Sequence, residues 1–289
     1  CWCIGFIDTK VGAILNGSKF EVKWVKDPEQ AKRWFADPFI LDYSNDSITV
    51  LAEEFSYNLR KGRIAKLVIN RSDYRIEECE IILELDTHLS FPFIFRQNGK
   101  VFIMPENSAS GCLRMYQFSD GKLNPVSVVS EQPLTDATIL SYENDYYLLS
   151  TQIPEQNGRE LSIWQFDTHE YKTAGDDVRV IFPSCKARNA GTSFVYNGQT
   201  YRPAQDCNKT YGGGMEIQTV NCHNGEFSFD SVIELEPQSR RYNKGLHTFN
   251  IHRDLIVIDG NGYRYPLFGG IANSIYKTLS AIKQTYNKH

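Results

Sequence analysis

Three acidic residues stand in short apolar settings that resemble one another: Asp37 in Ala36-Asp37-Pro38-Phe39-Ile40-Leu41, Glu106 after Ile103-Met104-Pro105, and Asp136 in Thr135-Asp136-Ala137-Thr138-Ile139-Leu140. Carboxyl groups gathered around one pocket suit glycosyl transfer to water or another acceptor. One must protonate the leaving oxygen, while another activates the nucleophile or steadies an oxocarbenium-like state. On that reading Asp37 is the general base, Glu106 the general acid, and Asp136 the residue that orients a partner or tunes its pKa. The competing reading of Asp37-Pro38 is a plain turn before a strand. A second group, Arg188, Arg202, Gln205, Asp206, Tyr211, His88 and His247, supplies donors and rings for a substrate. A guanidinium beside such a pocket predicts an anionic group on the ligand, or else an ion pair with the pocket's own acids. His247 lacks partners at metal-ligand spacing, so neither a metal nor any other cofactor is expected to be required.

These residues are far apart in the chain, and what must gather them is a repeat. The two Asp windows belong to a series of five that starts at Ala36, Ser90, Thr135, Asn189 and Leu246, about 45 to 57 residues apart. Each is followed by a second apolar run, such as Ile48 to Ala52 or Val101 to Met104, and the first four by a third, such as Gly62 to Ile69 or Gly213 to Val220. A period of this length made only of strands is the signature of a β-propeller, here all-β with five blades. The innermost strand of each blade lines a central channel, so this register places Asp37, Phe91, Asp136, Ala190 and His247 in one ring. Glu53, Glu106, Thr151, Gln205 with Asp206, and Asp259 form a wider one. The fifth unit has only two convincing strands, and the chain start has two spare ones, Trp2 to Asp8 and Phe20 to Val25. These are expected to complete the fifth blade and close the ring, which removes exposed sheet edges. After Phe268 the period changes, with Ile271, Ile275, Leu279, Ile282 and Tyr286 at helical spacing. The expected organisation is a propeller over 1–268 and a short amphipathic helix over 269–289.

Composition narrows the function. The net charge is −4 over 289 residues, with no basic stripe, so a nucleic-acid partner is not expected. No apolar stretch of about eighteen residues occurs, so no membrane span is expected. The seven cysteines have no zinc-type spacing and an odd count, which favours a reducing, cytoplasmic setting and leaves Golgi-lumen or secreted alternatives open. A chain opening on Cys1-Trp2-Cys3 without Met reads as a piece of a longer protein.

Several motifs resemble those of a known family. They are Phe35-Ala-Asp-Pro-Phe39, His88-Leu-Ser-Phe-Pro-Phe-Ile-Phe95 with Met104-Pro-Glu-Asn107, Leu134-Thr-Asp-Ala-Thr-Ile139, Ala187-Arg-Asn-Ala-Gly191, Tyr201-Arg-Pro-Ala-Gln-Asp-Cys207 with Tyr211-Gly212, and Val257-Ile-Asp-Gly260. In this order they are similar to the N-terminal propeller domain of the glucosamine inositolphosphorylceramide transferase family. More distantly the layout resembles the five-bladed glycoside hydrolases of family 43. The first resemblance implies surface-glycan or glycolipid biosynthesis, with the module accompanying a covalently linked glycosyltransferase domain in plants or formyltransferase-like domains in bacteria. The second implies that the first-blade Asp37 and the third-blade Asp136 are shared with those hydrolases. Family 43 carries its acid Glu at the start of the fourth blade, where this chain has Arg188-Asn189. Either Glu106 replaces that acid or the site does not hydrolyse glycosides in the family 43 manner.

Two functions therefore compete. In one, the propeller acts on a glycan or activated sugar by hydrolysis or transfer. In the other, it is a non-catalytic module that binds a glycan or sugar nucleotide for a partner domain. A protein-interaction ring fits less well, because it has no need of a funnel lined with carboxylates.

Overall fold

A computed structural model describes residues 1–237 and 239–263. Two strands open the chain, β1 (Trp2–Ile7) and β2 (Val22–Trp24), with a short helix α1 (Val11–Leu15) between them. Blade one is β3 (Arg33–Tyr43), β4 (Ser47–Ser56), β5 (Lys61–Asn70) and β6 (Ile76–Leu83). Blade two is β7 (Ser90–Gln97), β8 (Lys100–Glu106), β9 (Leu113–Ser119) and β10 (Lys122–Ser130). Blade three is β11 (Leu134–Tyr142), β12 (Asp145–Gln152), β13 (Glu160–Asp167) and β14 (Lys172–Ile181). Blade four is β15 (Phe194–Tyr196), β16 (Gln199–Asp206), β17 (Gly214–His223) and β18 (Glu226–Leu235), and the last two strands are β19 (Phe249–His252) and β20 (Leu255–Asn261). The chain thus forms five four-stranded antiparallel sheets, and the fifth has the order β19-β20-β1-β2.

The ring closes where the sequence predicts. β1 runs antiparallel to β20 from Trp2 opposite Asn261 to Ile7 opposite Ile256, and β2 adds outside it through Gly5 opposite Trp24. Helix α1 locks this arrangement from below. Its Ile14 is fully buried among Ile7, Met215 and Ile256, and Gly12 lies so close to Tyr196 of blade four that a Cβ would stand 2.0 Å from the phenol oxygen. The helix expected over 269–289, and the propeller boundary at 268, lie outside the described residues.

The hydrophobic core occupies the seams between blades. Inner and middle strands alternate, as β5 does, or bury a near-continuous apolar run, as β7 does, where both faces of the sheet meet a neighbouring blade. One cluster joins blades one to three through Phe39, Phe91, Phe93, Phe102, Met115 and Trp164, with Phe39 edge-on to Phe91 at 5.0 Å between ring centres. A second joins blades five and one through Ile4, Phe6, Val50, Leu67 and Val257. Each such buried side chain contributes about 1.5–3 kcal/mol, so truncation of fully sealed Phe93 is expected to cost about 3–5 kcal/mol. Outermost strands such as β14 are mostly exposed and lack that pattern.

Candidate functional site

The inner strands of blades one, two and three each carry one extra residue at the same point. Ala36 pairs with Glu53 but Phe39 with Leu51; Ser90 with Glu106 but Phe93 with Met104; Thr135 with Thr151 but Thr138 with Leu149. Each is a β-bulge, which turns a side chain out of the sheet's alternation. The bulged residues Asp37, Phe91 and Asp136 have φ of 50°, 42° and 43°, in the left-handed region. That conformation costs a bulky residue such as Phe91 more than an Asp. The buried amide at each bulge must find an acceptor, and it finds a carboxylate from a neighbouring blade. Asp37 N donates to Asp259 Oδ2 at 3.1 Å, Phe91 N to Asp37 Oδ2 at 3.2 Å, and Asp136 N to Glu106 Oε2 at 2.9 Å. Asp259 Oδ1 also accepts the amides of His247 and Thr248, each at 3.1 Å. The recurrence of acids at one register thus has a structural cause: they stitch the blades together around the axis.

On one side of the funnel the centre is Asp136. Arg188 Nε donates to its Oδ2 at 2.6 Å, and Gln205 Nε2 donates to the same oxygen at 2.7 Å. The other guanidinium nitrogens of Arg188 reach Asn157 Oδ1 at 2.9 Å and Glu106 Oε2 at 3.3 Å. Burial alone would raise the Asp136 carboxyl, but Arg188 outweighs it and holds the group below the ordinary aspartate range. Glu106 goes the other way. Burial, and then the charge on Asp136, push it up to about 8, so it carries a proton at neutral pH. Its side chain is 12% exposed, against 3% for Asp136.

On the other side the centre is Asp37. Its Oδ1 accepts the Thr248 hydroxyl at 2.9 Å and lies 3.7 Å from His247 Nε2, while its Oδ2 accepts the Phe91 amide. His247 Nδ1 lies 2.7 Å from Asp259 Oδ2. Burial pushes Asp37 up to about 7 against the pull of His247. Burial would lower the imidazole, yet Asp259 and Asp37 together lift it to about 9. Asp37, His247 and Asp259 can each present a ligand atom within 4.8 Å of the other two, the one such group found among the described residues. The oxygens of Asp259 already accept three backbone amides, so the imidazolium itself fits as the cation that balances these two carboxylates.

Most of the residues singled out from the sequence meet here. Asp37, Asp136, Glu106, Arg188, Gln205 and His247 form the linked network just described. Tyr211 bridges its halves, 5.0 Å beneath the Arg188 guanidinium and edge-on to His247 at 5.5 Å, while remaining 45% exposed. His88 sits on the rim, its side chain 45% exposed and its Nε2 3.2 Å from Glu53 Oε1.

Two residues lie elsewhere. Arg202 is fully buried between Phe182 and Phe229, and it donates to Asn189 Oδ1 at 2.8 Å, to Gln218 Oε1 at 2.7 Å and to the Ala187 carbonyl. It is a strut between segments of blade four and not a ligand contact. Strand alternation turns Asp206 away from its neighbour Gln205; it caps the turn at Asn208 and lies 3.9 Å from Lys186. Sequence reasoning missed Trp2, whose ring stacks on His247 at 3.8 Å, and Thr248, Asn157 and Asn189. Asn189 Nδ2 donates to the carbonyls of Asp136 and Leu149, each at 2.8 Å. Thr248 and Asn189 adjoin ring residues in the sequence, which was their one signal; Asn157 carried none.

Comparison with known proteins agrees with this architecture. Residues 20–257 match the family described as glucosamine inositolphosphorylceramide transferase 1, N-terminal. The chain is similar to glucosamine inositolphosphorylceramide transferase 1 of Arabidopsis thaliana, 28% identical over 229 residues, and to that of Oryza sativa subsp. japonica, 27% identical over 193 residues. These matches cover 75% and 64% of this chain but 29% and 26% of the relatives, so the chain spans less than a third of their length. Among solved structures it is similar in fold to a family 43 β-xylosidase/α-arabinofuranosidase from a compost microbial metagenome, with TM-score 0.55, 10% identity, and coverage of 77% of this chain and 83% of that one. It is likewise similar to an α-L-arabinofuranosidase of Clostridium thermocellum, with TM-score 0.51, 14% identity, and coverage of 76% and 82%.

Proposed function

The chain belongs to the glucosamine inositolphosphorylceramide transferase 1 N-terminal family, and from that membership we propose that its propeller is a carbohydrate-binding module whose axial funnel holds a sugar ring for glycosyl transfer carried out elsewhere in a longer protein. What carries this reading is the engagement of the two inward aspartates with buried partners, above all the ion pair of Asp136 with Arg188. Asp136 is spent on Arg188 and Gln205, and Asp37 on Thr248 and the Phe91 amide. A general base works best with a pKa near the working pH, and Arg188 holds Asp136 below the ordinary aspartate range. The start of the fourth blade, where the hydrolase resemblance calls for an acid, holds Arg188 instead. The mouth retains what sugar binding needs: the exposed Tyr211 ring, the Trp2 ring above His247, and polar groups beneath them. Arg188 donates from all three of its nitrogens to protein acceptors and Arg202 is sealed. On this reading a neutral or amine-bearing ligand fits best, since the anionic group expected from sequence would meet only the two N–H hydrogens that Arg188 keeps beyond these bonds.

One observation favours the second reading, in which the funnel turns over its sugar. Glu106 is held protonated near neutral pH and reaches the mouth, as a general acid would. The two readings separate in one assay. Aryl glycosides and a nucleotide sugar are offered to the chain and to its Asp37→Asn and Glu106→Gln variants, with product release and binding followed together. Binding without turnover in all three supports the module. Turnover by the wild type that falls about 10²- to 10⁴-fold in the variants would overturn it.

A further inference from the structure

The loop that carries Tyr211 has a second side. It joins β16 to β17 over residues 207–213, and Gly212 seats it against blade five: its carbonyl accepts the Leu246 amide at 2.9 Å, and a Cβ on it would stand 3.0 Å from both His247 Cδ2 and the Trp2 ring. Tyr211 belongs to the funnel, against Arg188 and edge-on to His247. Its neighbours Lys209, Thr210 and Gly213 line a different space, a cavity of about 240 Å³ that they share with the end of β18 and with Lys244. Drug-sized ligands occupy about 300–1,000 Å³, so this cavity suits one small ring.

Its lining combines fixed acceptors with uncommitted donors. Lys186, whose side chain is 15% exposed, donates to Glu234 Oε1 at 2.7 Å and to Glu216 Oε2 at 2.6 Å, and lies 3.9 Å from Asp206 Oδ2. Asp206 Oδ1 accepts the backbone amide and the side-chain Nδ2 of Asn208, at 2.9 and 2.8 Å. These contacts position Asp206 and Glu234 but leave them acceptor capacity, since a carboxylate has about four lone-pair sites. The donors are the exposed Lys209 and Lys244. Neither has an acidic partner among the described residues, and Lys244 Nζ only overlies the Tyr263 ring at 5.1 Å. The Thr210 hydroxyl and the exposed Glu236 carboxylate are likewise uncommitted among the described residues. Met215 and Leu235, paired across β17 and β18 and almost fully buried, supply the apolar part of the lining.

We propose that this cavity is a second carbohydrate site, which holds a single neutral polyhydroxylated ring. An anion would meet the carboxylates of Asp206, Glu234 and Glu236, and a cation the ammonium groups of Lys209 and Lys244. Around it Lys186, Lys209 and Lys244 stand against Asp206, Glu216, Glu234 and Glu236, so neither sign prevails. A ring hydroxyl both donates and accepts. It can therefore give a hydrogen to the fixed carboxylates and take one from the lysines, while the C–H face of the ring meets Met215 and Leu235. The inference goes beyond the funnel reading and does not need it, because the cavity is lined by residues that take no part in the funnel.

The test is an amide-resolved NMR titration of the whole chain with methyl glucoside, methyl galactoside and myo-inositol, and with inorganic phosphate, ethanolamine and glycine as charged comparators. At least one neutral ring is expected to move the Thr210, Gly213 and Gly214 amides along a saturating curve, with Kd of about 1 mM, and the comparators to leave them in place. Lys209→Met combined with Lys244→Met should weaken that ring about 5- to 50-fold, while Lys100→Met combined with Lys122→Met, exposed lysines of blade two, should change nothing. All four lysines are exposed, so neither variant is expected to lose its fold, which a melting curve checks. The inference is overturned if no ring moves these amides, if a charged comparator moves them in preference to the rings, or if the Lys209 and Lys244 variant binds as the wild type does, the shifts then arising from a ring in the funnel. A ring that moves the Trp2 and Tyr211 signals alone would overturn this site and leave the funnel reading standing. Movement of the Thr210, Gly213 and Gly214 amides alone, lost in the lysine variant, would support this site and count against the funnel.

Discussion

Replacing Arg188 with Met tests the electrostatic design of the funnel. The substitution keeps much of the side chain's bulk but removes the charge that lies 2.6 Å from Asp136 Oδ2 and 3.3 Å from Glu106 Oε2, in a pair whose side chains are 8% and 3% exposed. Removing one partner of a buried ion pair leaves an uncompensated charge and costs about 3–5 kcal/mol. For a chain of this size about 2–4 °C of melting temperature corresponds to each kcal/mol, so the variant should melt about 6–20 °C lower at pH 7. The sign of the pH dependence follows from Asp136. With Arg188 its carboxyl lies below the ordinary value, so it adds stability above the unfolded pKa that is lost as pH falls through the folded one. Without Arg188 burial raises it, and the penalty of holding it charged shrinks on acidification. The gap between variant and wild type should therefore narrow between pH 7 and pH 4. Thermal unfolding followed by circular dichroism across that range is the assay, with Arg179→Met as control, since its partners Glu160 and Asp177 form an exposed pair expected to matter by less than about 1 kcal/mol. A melting temperature for Arg188→Met within 2–3 °C of wild type, or a gap that widens in acid, would refute the reasoning.

Other perturbations follow from the same geometry. Glu106, pushed up from 4.5 to about 8, contributes stability that is full below the unfolded value and is lost as pH rises through about 8; Glu106→Gln cannot lose it, so chemical denaturation should find the variant gaining on wild type from pH 5 to pH 9. Thr248→Val removes the hydroxyl that donates to Asp37 Oδ1 and should cost about 1–3 kcal/mol by urea unfolding; no loss would mean that water replaces the hydroxyl. Gly191 has φ of 154°, and a Cβ there would stand 2.1 Å from the Phe249 carbonyl beside the Phe249 N to Ala190 O bond that joins blades four and five. Gly191→Ala should therefore cost about 2–4 kcal/mol, read as a lowered midpoint in the same unfolding curves.

The propeller was legible because most of its inner and middle strands bury both faces and so keep their apolar pattern, although β15 is only Phe194–Tyr196 with Val195 exposed. Outer strands such as β14 and β18 were not, since solvent on one side removes the constraint. Helix α1 is too short to show a helical period. At the site, equivalent register located Asp37, Asp136, Glu106, Gln205 and His247. It could not tell that the carboxylates cap bulge amides, because a bulge leaves no mark in the sequence beyond its one extra residue. Arg202 was misplaced for a related reason: its neighbourhood in sequence is that of the funnel, but strand alternation and the rings of Phe182 and Phe229 take it into a seam.

The central claim, a funnel that holds a sugar without consuming it, is most directly met by proton NMR of the chain with glucosamine, xylotriose and a nucleotide sugar in turn. The account predicts that the Trp2 indole and Gln205 amide resonances move with added sugar while the anomeric signals keep their intensity over a day. New anomeric signals growing with time, and abolished in Glu106→Gln, would contradict it.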